Sequence, residues 1–307
     1  MKLNRRHALL AGAALPLAAP AFLRARPAVA QDASAATPFP LSRQFNLGDM
    51  KVTALLAGSG QQENPHEIFG LNVDQATFDQ VSQENFIPAD RSMGFFTPTL
   101  VDTGNERILF DTGMMAGGLL QAMQDVGYAP ENVTHVVLTH MHPDHIGGLT
   151  DDAGNPTFPE AAYVTGQTEF DHWAGQNDEM FEAKVRPFAE RMTFLQPEGS
   201  VASGITAVEA FGHTPGHMAY MLESGDRRLL LTADTANHYV WSLQNPDWEV
   251  LYDADKPQAA ETRRRILGML ASDRTPMLGY HMPFPAVGFV EQDGESFRWV
   301  PHSYQLV

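Results

Sequence analysis

The chain has 307 residues, with 20 basic against 37 acidic side chains, a formal charge of −17 and no cysteine. That surplus of negative charge disfavours phosphate-backbone partners and hence nucleic acid. The missing thiols exclude cysteine nucleophiles, thiolate ligands and disulfides, so the hydrophobic core alone must supply stability. No Gly-x-Ser-x-Gly elbow occurs, which leaves serine hydrolase chemistry without support.

Residues 1–30 read as a signal peptide. Met1-Lys-Leu-Asn-Arg-Arg-His is a basic opening, Ala8 to Leu23 is apolar, and Ala28-Val-Ala30 is a small-residue cleavage signature before Gln31. The Arg5-Arg6 pair suggests twin-arginine export, with ordinary secretion as the alternative because Asn4 and His7-Ala8 depart from the usual surroundings. The apolar stretch is too short for a permanent membrane span, so no stable membrane insertion is expected. A periplasmic or secreted protein follows. Its removal takes five of the 20 basic residues and no acidic one, leaving 15 against 37 and a formal charge of −22. Such a surface favours neutral or cationic small molecules over polyanions.

Residues 31–44 read as a flexible leader and 45–307 as one catalytic domain. Short β runs follow from Phe45: Met50 to Leu56, Pro98 to Asp102 and Arg107 to Asp111. Residues 57–97 fit no period and suggest a long excursion anchored by Phe69, Phe86, Phe95 and Phe96, either functional or a satellite cluster. A helix over Leu119 to Val126 precedes a buried strand over Val133 to Thr139. Ala161 to Thr165 reads as a strand, Thr168 to Ala174 and Met180 to Met192 as helices. Ile205 to Ala210, His217 to Leu222 and Arg228 to Thr232 read as strands. Lys256 to Ala271 is a helix with Ile266, Leu267 and Leu270 inward and Arg263 to Arg265 mostly exposed. Phe289 to Val300 is a hairpin about Asp293-Gly294. Strands grouped in each half with helices between predict an α/β fold, two packed mixed sheets covered by helices.

The densest chemistry lies at His140-Met-His-Pro-Asp-His145, immediately after the buried run. Adjacent side chains on a strand point to opposite faces, so Pro143 and Gly147-Gly148 must turn the chain for these groups to converge. Imidazole and carboxylate suit borderline divalent metals, zinc first. Three later positions are punctuated alike: Gly212-His-Thr-Pro-Gly-His217, the strand ending at Asp234, and Leu278-Gly-Tyr-His281.

These motifs resemble the metallo-β-lactamase superfamily, whose His-x-His-x-Asp-His signature stands at 140–145. Within it the chain is most similar to methyl parathion hydrolase and its lactonase and esterase relatives, through 140–149, 212–217 and the ending from Phe284. The resemblance implies an αββα sandwich. It implies that His140, His142 and His217 hold one metal, Asp144, His145 and His281 a second, and that Asp234 bridges them. The cofactors would be two divalent ions, most naturally zinc, with manganese, cobalt or iron as alternatives. Asp144 and Asp234 would orient a metal-bridging hydroxide. His213, four residues before His217, reads as a residue behind the ligands that orients them. His135 reads as a core or interface residue, and His66, His172, His238 and His302 as ordinary polar residues.

By position, Trp173 and Phe181 resemble the aromatic residues of a leaving-group pocket, with a buried helix face as the alternative. Phe69 and Tyr239 are further pocket candidates; acyl-homoserine lactonases carry a tyrosine shortly after the bridging aspartate. The implied activity is hydrolysis of neutral hydrophobic lactones or aryl esters, N-acyl homoserine lactones and quorum quenching included, with side activity on phosphotriesters. A dedicated organophosphate triesterase is the alternative, and a β-lactamase or a non-catalytic binding protein on the same fold are others. A homodimer is implied by resemblance only.

Overall fold

The computed structural model describes residues 40–151 and 153–303. The expected signal peptide and residues 31–39 of the leader lie outside them. The leader ends earlier than expected, because Ser42 already opens a strand.

Sheet one carries, in spatial order, β1 (Ser42–Leu47), β2 (Met50–Leu55), β5 (Thr99–Asp102), β6 (Arg107–Phe110), β7 (His135–Leu138), β8 (Ala162–Gly166) and β9 (Met192–Leu195). β3 (Gly58–Glu63) and β4 (Arg91–Phe96) form a separate hairpin. β6 to β9 run parallel, so each needs a crossover on the sheet face. Those crossovers hold α2 (Ala116–Asp125), the short α3 (Pro143–Ile146), α4 (Gln167–Ala174) and α5 (Glu179–Lys184). Alternation decides which side each residue serves. Leu109, Val136 and Leu138 pack with Leu119 and Met123 of α2, while Ile108, Phe110 and Val137 face the second sheet.

Sheet two contains β10 (Ser200–Ala202), β11 (Ile205–Glu209), β12 (Met218–Ser224), β13 (Arg227–Ala233), β14 (Met277–Gly279), β15 (Val287–Asp293) and β16 (Ser296–Pro301) in sequence order. Its inner residues Ile205, Ala207, Tyr220, Leu222 and Leu230 meet those of sheet one, and the Phe110 and Tyr220 rings lie 5.1 Å apart. The parallel pair β13 with β14 is bridged by α6 (Lys256–Asp273). Asp255 caps α6 by accepting the Gln258 amide at 3.0 Å. Helices thus cover two packed sheets, as the grouping of runs predicts.

Three expectations need correction. Residues 57–97 are an ordered hairpin plus α1 (Gln75–Glu84), not a structureless excursion. Phe69 and Phe78 pack with Trp241 and Trp248 to anchor this unit, so a satellite cluster is present, but of the four expected anchors it contains Phe69 alone, and Phe86 is exposed. The helix expected over Met180–Met192 stops at Lys184, passes through a 3-10 turn and gives Met192 to β9. Arg263 is buried, because α6 turns it inward with Ala259, Ile266 and Leu270.

Candidate metal centre

Strand ends gather the polar side chains on one rim, as the C-terminal ends of strands do in open α/β sheets. β7 delivers His140. His142 then stands at the N-terminal boundary of α3, whose Pro143 start suits the first helical turn, and that turn projects Asp144 and His145. β13 delivers Asp234 just after Ala233, which adopts φ 42, and β14 delivers His281 two residues after its end. The loop from β11 to β12 supplies His213. Its Gly216 is obligatory, since a Cβ there would lie 2.1 Å from the Glu169 nitrogen.

Two clusters result. His140 Nε2 and His213 Nε2 lie 3.1 and 3.0 Å from His142 Nδ1. His281 Nε2 and His145 Nε2 lie 3.3 and 3.6 Å from the Asp144 carboxylate. Asp234 stands between them: its Oδ2 is 3.3 Å from His213 and 3.1 Å from His281, and its Oδ1 is 3.2 Å from His145. The donor atoms of His140, His142 and His213, and those of Asp144, His145 and His281, each lie within 4.8 Å of one another.

The tautomers follow from what stands behind each ring. His145 Nδ1 faces Asp111 Oδ2 at 2.8 Å, His213 Nδ1 faces Asp253 Oδ1 at 2.9 Å, and His281 Nδ1 faces the Phe95 carbonyl at 2.8 Å. Thr139 donates its hydroxyl proton to Asp111, so its oxygen accepts from His140 Nδ1 at 3.1 Å. Every outer partner is an acceptor, which keeps a proton on each outer nitrogen and leaves the inward Nε2 as the atom that offers its lone pair once its own proton is given up. These nitrogens and two carboxylates face one another, and buried His145 Nε2 and Asp234 Oδ1 have no hydrogen-bond partner. Such a nest calls for cations, and the donor set suits borderline divalent ions.

Here His213 and His217 exchange the roles expected of them. His217 donates from Nδ1 to the Ala210 carbonyl at 2.9 Å and accepts the Asp234 amide on Nε2 at 3.1 Å. Both its nitrogens are consumed, so it steadies the Asp234 main chain and has no lone pair for a metal. His213 lies on the rim instead.

Charge follows the same geometry. Burial opposes a proton on His145, but Asp234, Asp111 and Asp144 hold its pKa well above the ordinary value. Against burial, Asp234 and Asp253 push His213 up to about 9. Burial and the charge on His213 drive His142 down to about 2 and His217 to about 3. Burial would raise Asp234, yet His281 and His145 hold it well below the carboxylate range.

A cavity of about 280 Å³ opens onto this rim, walled by Phe69, Met93, Phe96, Met114 and Tyr252, with Asn237 and His238 at its edge. Ser92, Met93, His238 and His281 also line a second lobe of about 370 Å³, together with Tyr239 and Arg91. Of the expected pocket residues, Phe69 lines the first lobe and Tyr239 only the second. Phe181 does not line either lobe; it is core, fully buried beneath the Arg186 guanidinium. Trp173 stands edge-on to His142 at 5.7 Å and donates to Glu169 at 2.6 Å, outside both lobes. His238, read from sequence as an ordinary polar residue, accepts the amides of Val240 and Trp241 on Nδ1, both at 3.1 Å. His66 stacks on Phe78 at 4.4 Å, away from the centre, and His135 pairs with Thr134 at 2.9 Å.

Two packed sheets with a double imidazole–carboxylate nest at their rim define the class. Residues 97–278 match the family model described as the metallo-beta-lactamase superfamily, and the chain belongs to that superfamily. N-acyl homoserine lactonase AiiA of Bacillus thuringiensis subsp. kurstaki is 24% identical over 198 residues, 59% of this chain and 74% of that protein. The lactamase-like protein nscB of Neosartorya fischeri is 32% identical over 148 residues, 47% of this chain and 38% of that one. Among solved structures, AidC, a dizinc quorum-quenching lactonase in complex with a homoserine product, is similar with a TM-score of 0.80. It is 26% identical, over 87% of this chain and 99% of AidC. The hydrolase AbOPH, at 23% identity and a TM-score of 0.79 over 87% of this chain and 99% of that one, shares the fold.

Proposed function

We propose that the chain is a dinuclear metal-dependent hydrolase of hydrophobic lactones or aryl esters, with N-acyl homoserine lactones as the substrate class. One arrangement carries the reading: two ligand triads share Asp234 on the floor of a largely apolar cavity. The N-acyl homoserine lactonases among the relatives support it. His140, His142 and His213 would hold one ion, Asp144, His145 and His281 the other, and Asp234 both. Two such ions supply a water that ionises near neutral pH and an electrophile for the acceptor oxygen.

The chain's own residues would do the rest. Asn237 donates to Asp234 Oδ2 at 2.9 Å and fixes the carboxylate between the triads. Because His238 Nδ1 accepts two amides, its proton sits on Nε2, available to a carbonyl oxygen in the cavity. Phe69, Met93, Phe96 and Met114 would take an alkyl or aryl group. Among the described residues no lysine or arginine lines the first lobe, which suits a neutral substrate.

The same proposal includes export to the periplasm or medium, supported by the pattern of residues 1–30, and a homodimer, supported by resemblance. No helix among the described residues is long and apolar enough to cross a membrane.

The test is a hydrolysis panel on metal-loaded protein: homoserine lactones of several chain lengths, an aryl lactone, an aryl acetate, a methyl phosphotriester and a β-lactam. Lactones or aryl esters should lead in kcat/KM. A phosphotriester far ahead of both would assign an organophosphate triesterase, a β-lactam ahead a β-lactamase, and no turnover a binding protein.

A further inference from the structure

Arg263 is 1% exposed, an unusual place for a guanidinium. Its Nη2 donates to Asp253 Oδ2 at 2.7 Å, its Nε to the Thr235 carbonyl at 3.0 Å, and its Nη1 to the Pro246 carbonyl at 2.8 Å. The other oxygen of Asp253 accepts from His213 Nδ1 at 2.9 Å, and Thr235 directly follows Asp234. One side chain of α6 therefore reaches toward the metal centre along two routes. The contact between α6 and the His213 loop is tight, since a Cβ on Gly212 would lie 2.3 Å from the Ala259 nitrogen, one helical turn before Arg263.

A buried ion pair is a poor device for stability, because desolvating two charges cancels most of their attraction. What a fully bonded pair does provide is fixed orientation. We infer that Arg263 is a positioning residue of the metal centre, holding Asp253 so that His213 presents its lone pair and anchoring the turn that carries Asp234. This inference rests on the centre being a metal site.

The test compares the wild-type chain with Arg263→Met and Asp253→Asn. Each is titrated with zinc against a chromophoric chelator and loaded with cobalt(II) for its visible absorption. Arg263→Met keeps an apolar stem and removes the fork. Asp253→Asn turns an amide donor toward the guanidinium and breaks the link at its middle, so it serves if Arg263→Met fails to fold. The expected result is the ion at His140, His142 and His213 bound roughly 10- to 100-fold more weakly, a smaller loss at the other ion through Asp234, and an altered cobalt spectrum. Wild-type affinity for both ions with an unchanged spectrum would reduce Arg263 to an anchor for α6, and an equal loss at both ions would also overturn the inference. A wild-type chain that binds no zinc would instead sink the metal reading itself.

Discussion

The carboxylate of Glu169 accepts the Met141 amide at 3.0 Å, so one buried acid stands directly behind the two histidines that flank Met141. Its other oxygen accepts from the Thr214 hydroxyl at 2.6 Å and the Gly216 amide at 3.0 Å, on the loop that carries His213. Trp173 supplies a fourth donor. Burial raises the pKa of Glu169, and the bonds from Thr214, Trp173, Met141 and Gly216 oppose that rise. The three histidines of one triad thus share a single brace.

Glu169→Gln should damage that brace, because the amide offers one acceptor where the site presents only donors. At least one buried donor loses its partner, a cost of about 1–3 kcal/mol. The expected outcome is a lower melting temperature and weaker binding of the ion at His140, His142 and His213, read by thermal unfolding and zinc titration. A variant that matches the wild type in both measurements would show the brace to be dispensable.

The exchange between His213 and His217 has its own signature. His213→Ala should lower bound zinc from about two ions per chain to about one. His217→Gln, which keeps a donor and an acceptor near Ala210 and Asp234, should retain about two. Metal analysis after dialysis decides the matter, and the reverse pattern would restore His217 as the ligand.

Much of this centre is legible in the chain, for a physical reason. Short β runs ending in His or Asp after Gly or Pro mark strand ends, and His140, His142, Asp144, His145, Asp234 and His281 all converge as that punctuation suggests. The His213/His217 pair defeats such reading because both histidines flank one Thr-Pro-Gly turn, and only the turn's path decides which ring faces the rim. Arg263 is missed because three consecutive arginines look like a solvated face. Its carboxylate partner Asp253, by contrast, lies ten residues away with no periodic relation to it. Residues 57–97 hide a hairpin because β3, Gly58-Ser-Gly-Gln-Gln-Glu63, has little β propensity and is held by pairing with β4.

Acid should strip the centre of metal. In the metal-free chain His213, with its pKa about 9, and His145 and His281, both raised, bind protons at neutral pH. An incoming ion must displace those protons, so loading releases acid and apparent affinity rises with pH until the raised values are passed. Calorimetric titration of zinc into metal-free protein, in buffers of different ionisation enthalpy, should show net proton release at pH 7. Zero release would mean the rings are already neutral.

The cavity makes a last prediction at His238. Its ring stacks on Trp241 at 4.0 Å, and burial lowers its pKa to about 3, so it stays neutral through the working range. Asn at this position can still accept the Val240 and Trp241 amides but has no donor as far out as Nε2. His238→Asn should therefore keep its metal and its fold and lose roughly 10- to 100-fold in kcat/KM on lactones, if the imidazole steadies charge developing on the carbonyl oxygen. His238→Phe, which also removes the acceptor that caps the helical turn Tyr239–Gln244, should in addition cost about 1 kcal/mol of stability. The split between kcat and KM locates the effect: a fall in kcat places the bond in the transition state, and a rise in KM alone places it in binding. Lactone kinetics unchanged in His238→Asn would leave the histidine as a helix cap that merely borders the cavity.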